Sequence, residues 1–225
     1  MNERSLVYEA RQAVYAVFQR LYAAAPDRAL LDWLVTEQPF AEFPVTLDAE
    51  ADAARQRVAA SCPQLTLQAL ADDFHQLYIG YGAMQAPPWE SVYRNEEHTL
   101  FDIHTLQVRE TYARHGMEFI HKNKMPEDSI SIELEFMKTL TDRLLTALEK
   151  GDGRAERILL NEQLKFLQEH LLVWVPEFVA LSEKHAQTPF YGNLGSVLLG
   201  FLRWDQEVLR ELVALFPAET GFDLS

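Results

Sequence analysis

Hydrophobic positions recur every three to four residues along most of this chain, the period of amphipathic helices. From 3 to 24, Leu6, Ala10, Ala13, Val14, Val17, Phe18 and Leu21 fall on one face that stops at Ala25-Pro26. This predicts a core-packed first helix. The pattern weakens from 28 to 60: a short apolar piece around Leu30, Leu31 and Leu34, a loop through Pro39 and Pro44, then an alanine- and charge-rich helix near 48–60. It resumes over 64–78 through Leu67, Leu70, Phe74, Leu77 and Tyr78. Further on, Leu100, Ile103, Leu106, Val108 and Tyr112 predict a helix with Gly116 as its stop, and 117–127 reads as a loop. A helix over 129–149 follows, with Ile130, Leu134, Met137, Leu140, Leu144 and Leu148 on one face. Helices over 155–172, after Pro176, and over 191–215 complete the chain. No alternating β-branched strand and no internal repeat stand out. The expectation is an all-α, single-domain bundle of about nine to eleven helices.

The exception to this regularity is the segment from Phe74 to Phe101. Gly80 and Gly82 free the backbone where the apolar face of Phe74, Leu77 and Tyr78 ends, so the chain can turn back on its own helix. Pro87 and Pro88 then remove two donors and push Ala86 toward extended geometry, so no helix can run through Ala86-Pro87-Pro88-Trp89. Trp89 and Tyr93 each carry a large apolar body with one polar handle, which suits either a groove for an apolar peptide or a half-buried lid.

Composition narrows the function. Twenty Lys and Arg against 34 Asp and Glu leave a formal charge of −14, a field that repels nucleic-acid phosphates and anionic membranes and favours a basic partner. The lone cysteine, Cys62, cannot form an internal disulfide and has no local activating signature, so a neutral thiol is expected. The first fifteen residues mix charges of both signs without the apolar core of a secretory signal, so the chain is expected in the cytoplasm. The run from Leu194 to Leu202 is too short to span a bilayer and reads as a buried helix.

No catalytic signature is legible: no GxSxG, no phosphate-cradling GxxxxGK[ST], no GxGxxG and no HExxH. Glu118-Phe119-Ile120-His121 is half of a bundle metal motif in a predicted loop, so neither a metal nor another cofactor is expected. Glu133 and Glu135 are two apart on a helix and cannot form a matched pair. Asp128 precedes the helix from 129, where it can cap the first turn or bind a cation.

Phe74-His75-Gln76-Leu77-Tyr78 resembles the aromatic-x-x-Leu-Phe motif of the TorD/DmsD/NarJ redox-enzyme maturation chaperones. Ala86-Pro87-Pro88-Trp89-Glu90-Ser91-Val92-Tyr93 resembles the APPWxSVY segment of their DmsD-like branch. Met125-Pro126-Glu127-Asp128-Ser129 is similar to the family's Glu-Pro-x-Asp-His, with Met125 and Ser129 replacing its outer polar residues. His170-Leu171 with Trp174, Thr188-Pro189-Phe190-Tyr191, and Phe201-Leu202 with Asp205 are similar to its C-terminal HLxxW, TPFY and FLxxD pattern. The resemblance implies a TorD-like fold and a cytoplasmic chaperone, not an enzyme. Its partner would be the twin-arginine leader of a molybdenum-cofactor oxidoreductase, and with it the catalytic subunit, held back from export until the cofactor is in place.

The leader-binding residues it implies are Phe74, Leu77 and Tyr78 from the helix end, Pro87, Pro88, Trp89, Glu90, Ser91 and Tyr93 from the loop, and Pro126, Glu127 and Asp128 from the facing segment. Apolar residues would supply affinity and the carboxylates the choice of arginine. The resemblance also allows weak binding of a guanine nucleotide or molybdopterin cofactor in the same groove, and a domain-swapped dimer.

Overall fold

In the computed structural model, which describes residues 3–80, 84–95, 100, 102–118 and 126–216, ten α-helices follow one another and no strand occurs among the described residues. They are α1 (Glu3–Ala23), α2 (Arg28–Thr36), α3 (Ala49–Ser61), α4 (Leu67–Phe74), α5 (Glu90–Arg94), α6 (Ile103–Arg114), α7 (Ile130–Glu149), α8 (Gly153–Phe166), α9 (Leu172–His185) and α10 (Tyr191–Ala214). Several start on side-chain caps: Asp27, Asp48, Thr66, Asp102 and Asp152 each accept from an N–H of the first turn.

Tyr8, Val14, Tyr15, Phe18 and Leu21 make α1's buried stripe, which lies along α7. α10 packs on α3 and α9, and Gly200 lets α3 come close, since a Cβ there would collide with Ala51. One buried polar network ties these layers together. Arg11, fully buried, forms a two-pronged pair with Asp205, which also accepts from Tyr15 Oη at 2.7 Å. Arg11 Nη2 donates to Gln163 Oε1 at 2.6 Å, and Thr141 Oγ1 to the same oxygen at 3.0 Å. Buried charge is tolerated because each ion is paired and further hydrogen-bonded.

Two helices pass into π-type turns at their ends, α4 over His75–Ile79 and α8 over Leu167–Leu171. The first ends at Gly80 in positive φ, and the chain returns so that Ala86 N donates to Leu77 O at 2.8 Å. The loop therefore does fold back onto its own helix. The second re-registers the chain just before α9, which runs through Pro176 without a break. The expected separate helix after Pro176 is thus part of α9.

A second departure concerns α6. Its buried face is Thr105, Val108 and Tyr112, while Ile103 and Leu106 are 59% and 49% exposed. The predicted face mixed two sides of the helix. Gly116, at positive φ just beyond α6, is the stop expected of it. Cys62 is buried, and burial pushes its thiol up to about 11, which keeps it neutral. Gly82, Phe119–His121 and Met125 lie outside the described residues.

Candidate functional site

The proline-broken loop is latched to the segment that precedes α7. Glu90 N donates to Asp128 O at 2.9 Å and Ile130 N to Pro88 O at 3.0 Å, one antiparallel bridge with Trp89 opposite Ser129. This pairing turns the Asp128 side chain toward the start of α5. There its carboxylate accepts from Ser91 N at 2.7 Å and from Thr105 Oγ1 of α6 at 3.0 Å. Asp128 is fully buried, and burial raises its carboxyl above the ordinary range despite these donors. Of the two roles open to Asp128 from the sequence, capping the helix from 129 is not the one it takes here. Ser129 is α7's N-cap, and its hydroxyl meets Ser131 Oγ at 3.2 Å rather than capping a first-turn N–H, while Asp128 satisfies the orphan N–H of a different helix.

Its neighbour Glu127 is also buried, at 1% exposure, and is held by the Arg109 fork from α6: Nε to Oε1 and Nη2 to Oε2, both 2.9 Å. Tyr112 Oη donates to Glu127 O at 3.3 Å and so fixes its main chain. Arg109, Tyr112, Met117, Glu118 and Glu127 line a cavity of about 370 Å³.

Beneath the loop, Glu90 points inward. Arg94, one turn further along α5, donates to its Oε1, and His170 Nδ1 lies 3.1 and 2.9 Å from its two oxygens. Glu133 of α7 accepts from Trp174 Nε1 at 3.1 Å, and its other oxygen has no hydrogen-bond partner among the described residues. Burial first, then the nearby Glu90 charge, raises the Glu133 carboxyl well above the ordinary range. Trp174 in turn carries Tyr93, whose ring stacks on it at 5.5 Å.

The sequence-derived residues thus divide. Phe74, Leu77 and Tyr78 are buried core that shapes the floor of the loop, with Tyr78 edge-on to Phe74 at 5.1 Å. Glu90 and Ser91 are buried as well. Pro126, Glu127 and Asp128 are closed off as the latch, and Pro87, Pro88, Trp89 and Tyr93 stay half-buried. Trp89 Nε1 and Tyr93 Oη have no hydrogen-bond partner among the described residues.

Sequence reasoning missed Arg109, Arg94, Thr105 and the role of Glu133. Arg94 was signalled by its four-residue spacing from Glu90 on a short helix. Glu133 was signalled by its place in the buried stripe of Ile130, Leu134 and Met137, where a carboxylate needs a partner. Nothing in the local sequence ties Arg109 to Glu127. The C-terminal motifs find structural uses: His170 and Trp174 hold Glu90 and Glu133, Asp205 pairs with Arg11, and Thr188 donates its N–H at 2.7 Å, and its hydroxyl at 2.6 Å, to the Asp73 carboxylate.

Fold and site together give an all-helical protein with proline and aromatic side chains held over a cushion of hydrogen-bonded carboxylates. The model of the family described as "Nitrate reductase delta subunit" matches residues 45–180. A Salmonella typhi protein named Tat proofreading chaperone DmsD is 32% identical over 181 residues, 80% of this chain and 79% of that one. A Psychrobacter protein named chaperone protein TorD is 27% identical over 212 residues, 90% and 93% of the two chains. The chain belongs to the TorD/DmsD/NarJ family of redox-enzyme maturation chaperones, and it is a chaperone rather than an enzyme.

Proposed function

We propose that this chaperone binds the twin-arginine leader of a molybdenum-cofactor oxidoreductase in the cytoplasm, and thereby holds the enzyme's catalytic subunit back from export until its cofactor is in place. The observation that carries this reading is the latched loop. Pro87, Pro88, Trp89 and Tyr93 form a half-buried apolar surface, and Trp89 Nε1 and Tyr93 Oη are donors left without an acceptor. An extended peptide supplies the apolar side chains that such a surface can cover, while the two donors are themselves buried beneath it. The apolar stretch of a leader packs here and its arginines are drawn to the acidic surface of a chain of net charge −14. Phe74, Leu77, Tyr78, Glu90, Ser91 and Asp128 act from behind, by holding the loop's shape.

The division of energy follows from burial. A Leu-sized side chain taken out of water contributes about 1.5–3 kcal/mol, and ordering a disordered leader costs about 2–5 kcal/mol, so a micromolar Kd is expected. Calorimetry with leader peptides from the same genome's molybdoenzymes, with mass spectrometry of the recovered peptide, tests the reading. Binding of intact peptide supports it; no binding to any of them, or a cleaved product, overturns it.

A second reading rests on a separate cavity of about 480 Å³ where Arg94, Arg114 and Lys165 outnumber Glu110 and Glu169, with Arg94 paired to Glu90 and Lys165 beside Glu169. It would take an anionic small molecule such as a guanine nucleotide or the molybdopterin cofactor. Titration with GTP, with no heat or shift at millimolar concentration, would remove it.

A further inference from the structure

Four buried carboxyl groups meet beneath the leader loop. Burial first, and then the charges of Glu133, Asp128, Glu90 and Glu127, raise the Tyr112 phenol well above its ordinary value, which sets all four around that ring. Three of them have strong donors: Glu127 the Arg109 fork, Asp128 the Ser91 N–H and Thr105 hydroxyl, and Glu90 both Arg94 and His170. Glu133, at 0% exposure, accepts from the indole N–H of Trp174 on Oε2. Its Oε1 has no donor among the described residues, although the Glu90 carboxyl stands within hydrogen-bonding reach of Glu133. Two carboxylates cannot bond to each other, because each can only accept. One proton held between them supplies the missing donor and spares the cost of a buried oxygen left unsatisfied. The proton belongs on Glu133. As the anion, Glu90 keeps a guanidinium and an imidazole N–H, whereas an ionised Glu133 would be buried beside a like charge with one indole to offset it.

We propose that Glu133 is a positioning residue for leader binding: its Oε1–H donates to Glu90, and this acid–carboxylate bond ties α7 to the first turn of α5. This rests on the leader-binding reading and deepens it, because α5 follows directly on Trp89 and contains Tyr93. α7 is packed along α1 and does not follow a departing partner. α5 has five residues, and its Arg94 side chain is 23% exposed. When the proton leaves for solvent, two carboxylates face each other in a dry interior, and the relief open to them is for Glu90 to move with Arg94 toward water. The aromatic side chains of the loop move with it.

Around the pair stand Arg94 from α5, Asp128 from the latch, His170 from the π-type turn, Trp174 from α9 and Tyr112 from α6. α1 and α8 make polar contacts with α7 further along, at Asp142 and Thr141. Glu133 stabilises the closed loop fully below its ordinary value of 4.5, and that contribution is lost as the pH climbs into its raised range. Affinity for a leader is therefore expected to fall as the pH rises, by up to about tenfold per pH unit, the limit that one proton sets.

The experiment compares the parent with Glu133→Gln, whose amide donates to Glu90 and accepts from Trp174 at every pH, and with Glu133→Met, which has no proton to give. Three quantities are read from about pH 5 to 9: the carbon-13 shift of the Glu133 side-chain carboxyl, assigned through its bonds; the protection of amides 84–95 against hydrogen exchange; and affinity for a blocked leader peptide without side chains that titrate in that range. A neutral carboxyl at pH 7 is expected, with protection and affinity falling in step as it ionises. Glu133→Gln should lose this pH slope and bind leader more tightly than the parent at pH 9. Glu133→Met should show low protection throughout. If either variant fails to fold, the parent's carboxyl shift and protection carry the test. An ionised Glu133 at pH 7, protection in Glu133→Met equal to the parent's, or the parent's slope surviving in Glu133→Gln overturns the tie and leaves the leader reading intact. A parent that ignores leaders at every pH, with carboxyl and protection still in step, upholds the tie and overturns leader binding.

Discussion

The latch makes a sharp prediction about Asp128. Its two oxygens take Ser91 N and Thr105 Oγ1, and with Thr105 at 1% exposure neither donor has water to turn to. Truncation by Asp128→Ala strands both donors. At about 1–3 kcal/mol for each unsatisfied buried group, the expected loss of stability is roughly 2–6 kcal/mol. Asp128→Asn is different, because its amide oxygen can accept from Ser91 N and its NH2 can donate to the Thr105 hydroxyl. The charge it removes is one that burial already disfavours, as the raised carboxyl shows. The Asn variant should therefore lose about 1 kcal/mol or less, and since the carboxylate faces the protein and not the groove, its leader affinity should stay near the parent's. Urea melts of the two variants at pH 7, with m-values checked for constancy, read the first quantity and calorimetry reads the second. An Asn variant that keeps the parent's stability but loses leader binding would refute the reasoning, because Asp128 would then be a direct arginine ligand.

Three further outcomes follow from the same geometry. Glu133 has a raised carboxyl in the folded state, so its contribution to stability is fully present below the ordinary value of 4.5 and is lost as the pH rises above it. Glu133→Gln, which keeps an acceptor for Trp174 Nε1, should flatten that decline and be the more stable form at pH 8 in denaturant melts. Trp89→Ala should weaken leader binding by at least about 1 kcal/mol at low and high salt alike, because it removes desolvated area; a loss confined to low salt would contradict this. Asp205→Ala should cost about 3–5 kcal/mol by stranding buried Arg11, measured by urea denaturation, and a neutral result would show that the core network is dispensable.

Much of the scaffold was legible because helix signals are local. The stripe of Val14, Phe18 and Leu21 gave α1, Gly116 gave the end of α6, and Gly80 with Pro87 and Pro88 gave a loop that returns to its own helix. Where two sides of a helix carried apolar residues, as with Ile103 and Leu106 on α6, periodicity alone could not choose the buried one. The residues singled out around the loop do come together in the fold, but their contacts were not legible. Asp128 reads as a cap for the helix it precedes, yet its partner Ser91 lies 37 residues back, brought there by a two-bond bridge that no local pattern encodes. Glu133 and Glu90 were separated in the sequence and meet only because Trp174 and His170, at the α8–α9 junction, carry both. Long-range pairing of polar groups is set by packing, and packing is what the sequence leaves implicit.

The central claim, that the client's leader docks on the latched loop, is tested most directly by photo-crosslinking. A twin-arginine leader peptide would carry a benzophenone group in the apolar stretch that follows its arginines, and the adduct on the chain would be mapped by mass spectrometry. The account predicts attachment within residues 84–95, centred on Trp89 and Tyr93, and loss of that adduct when unlabelled leader is added in excess. Competable attachment at Arg114 or Lys165, or on the α3–α10 side of the bundle, would contradict it.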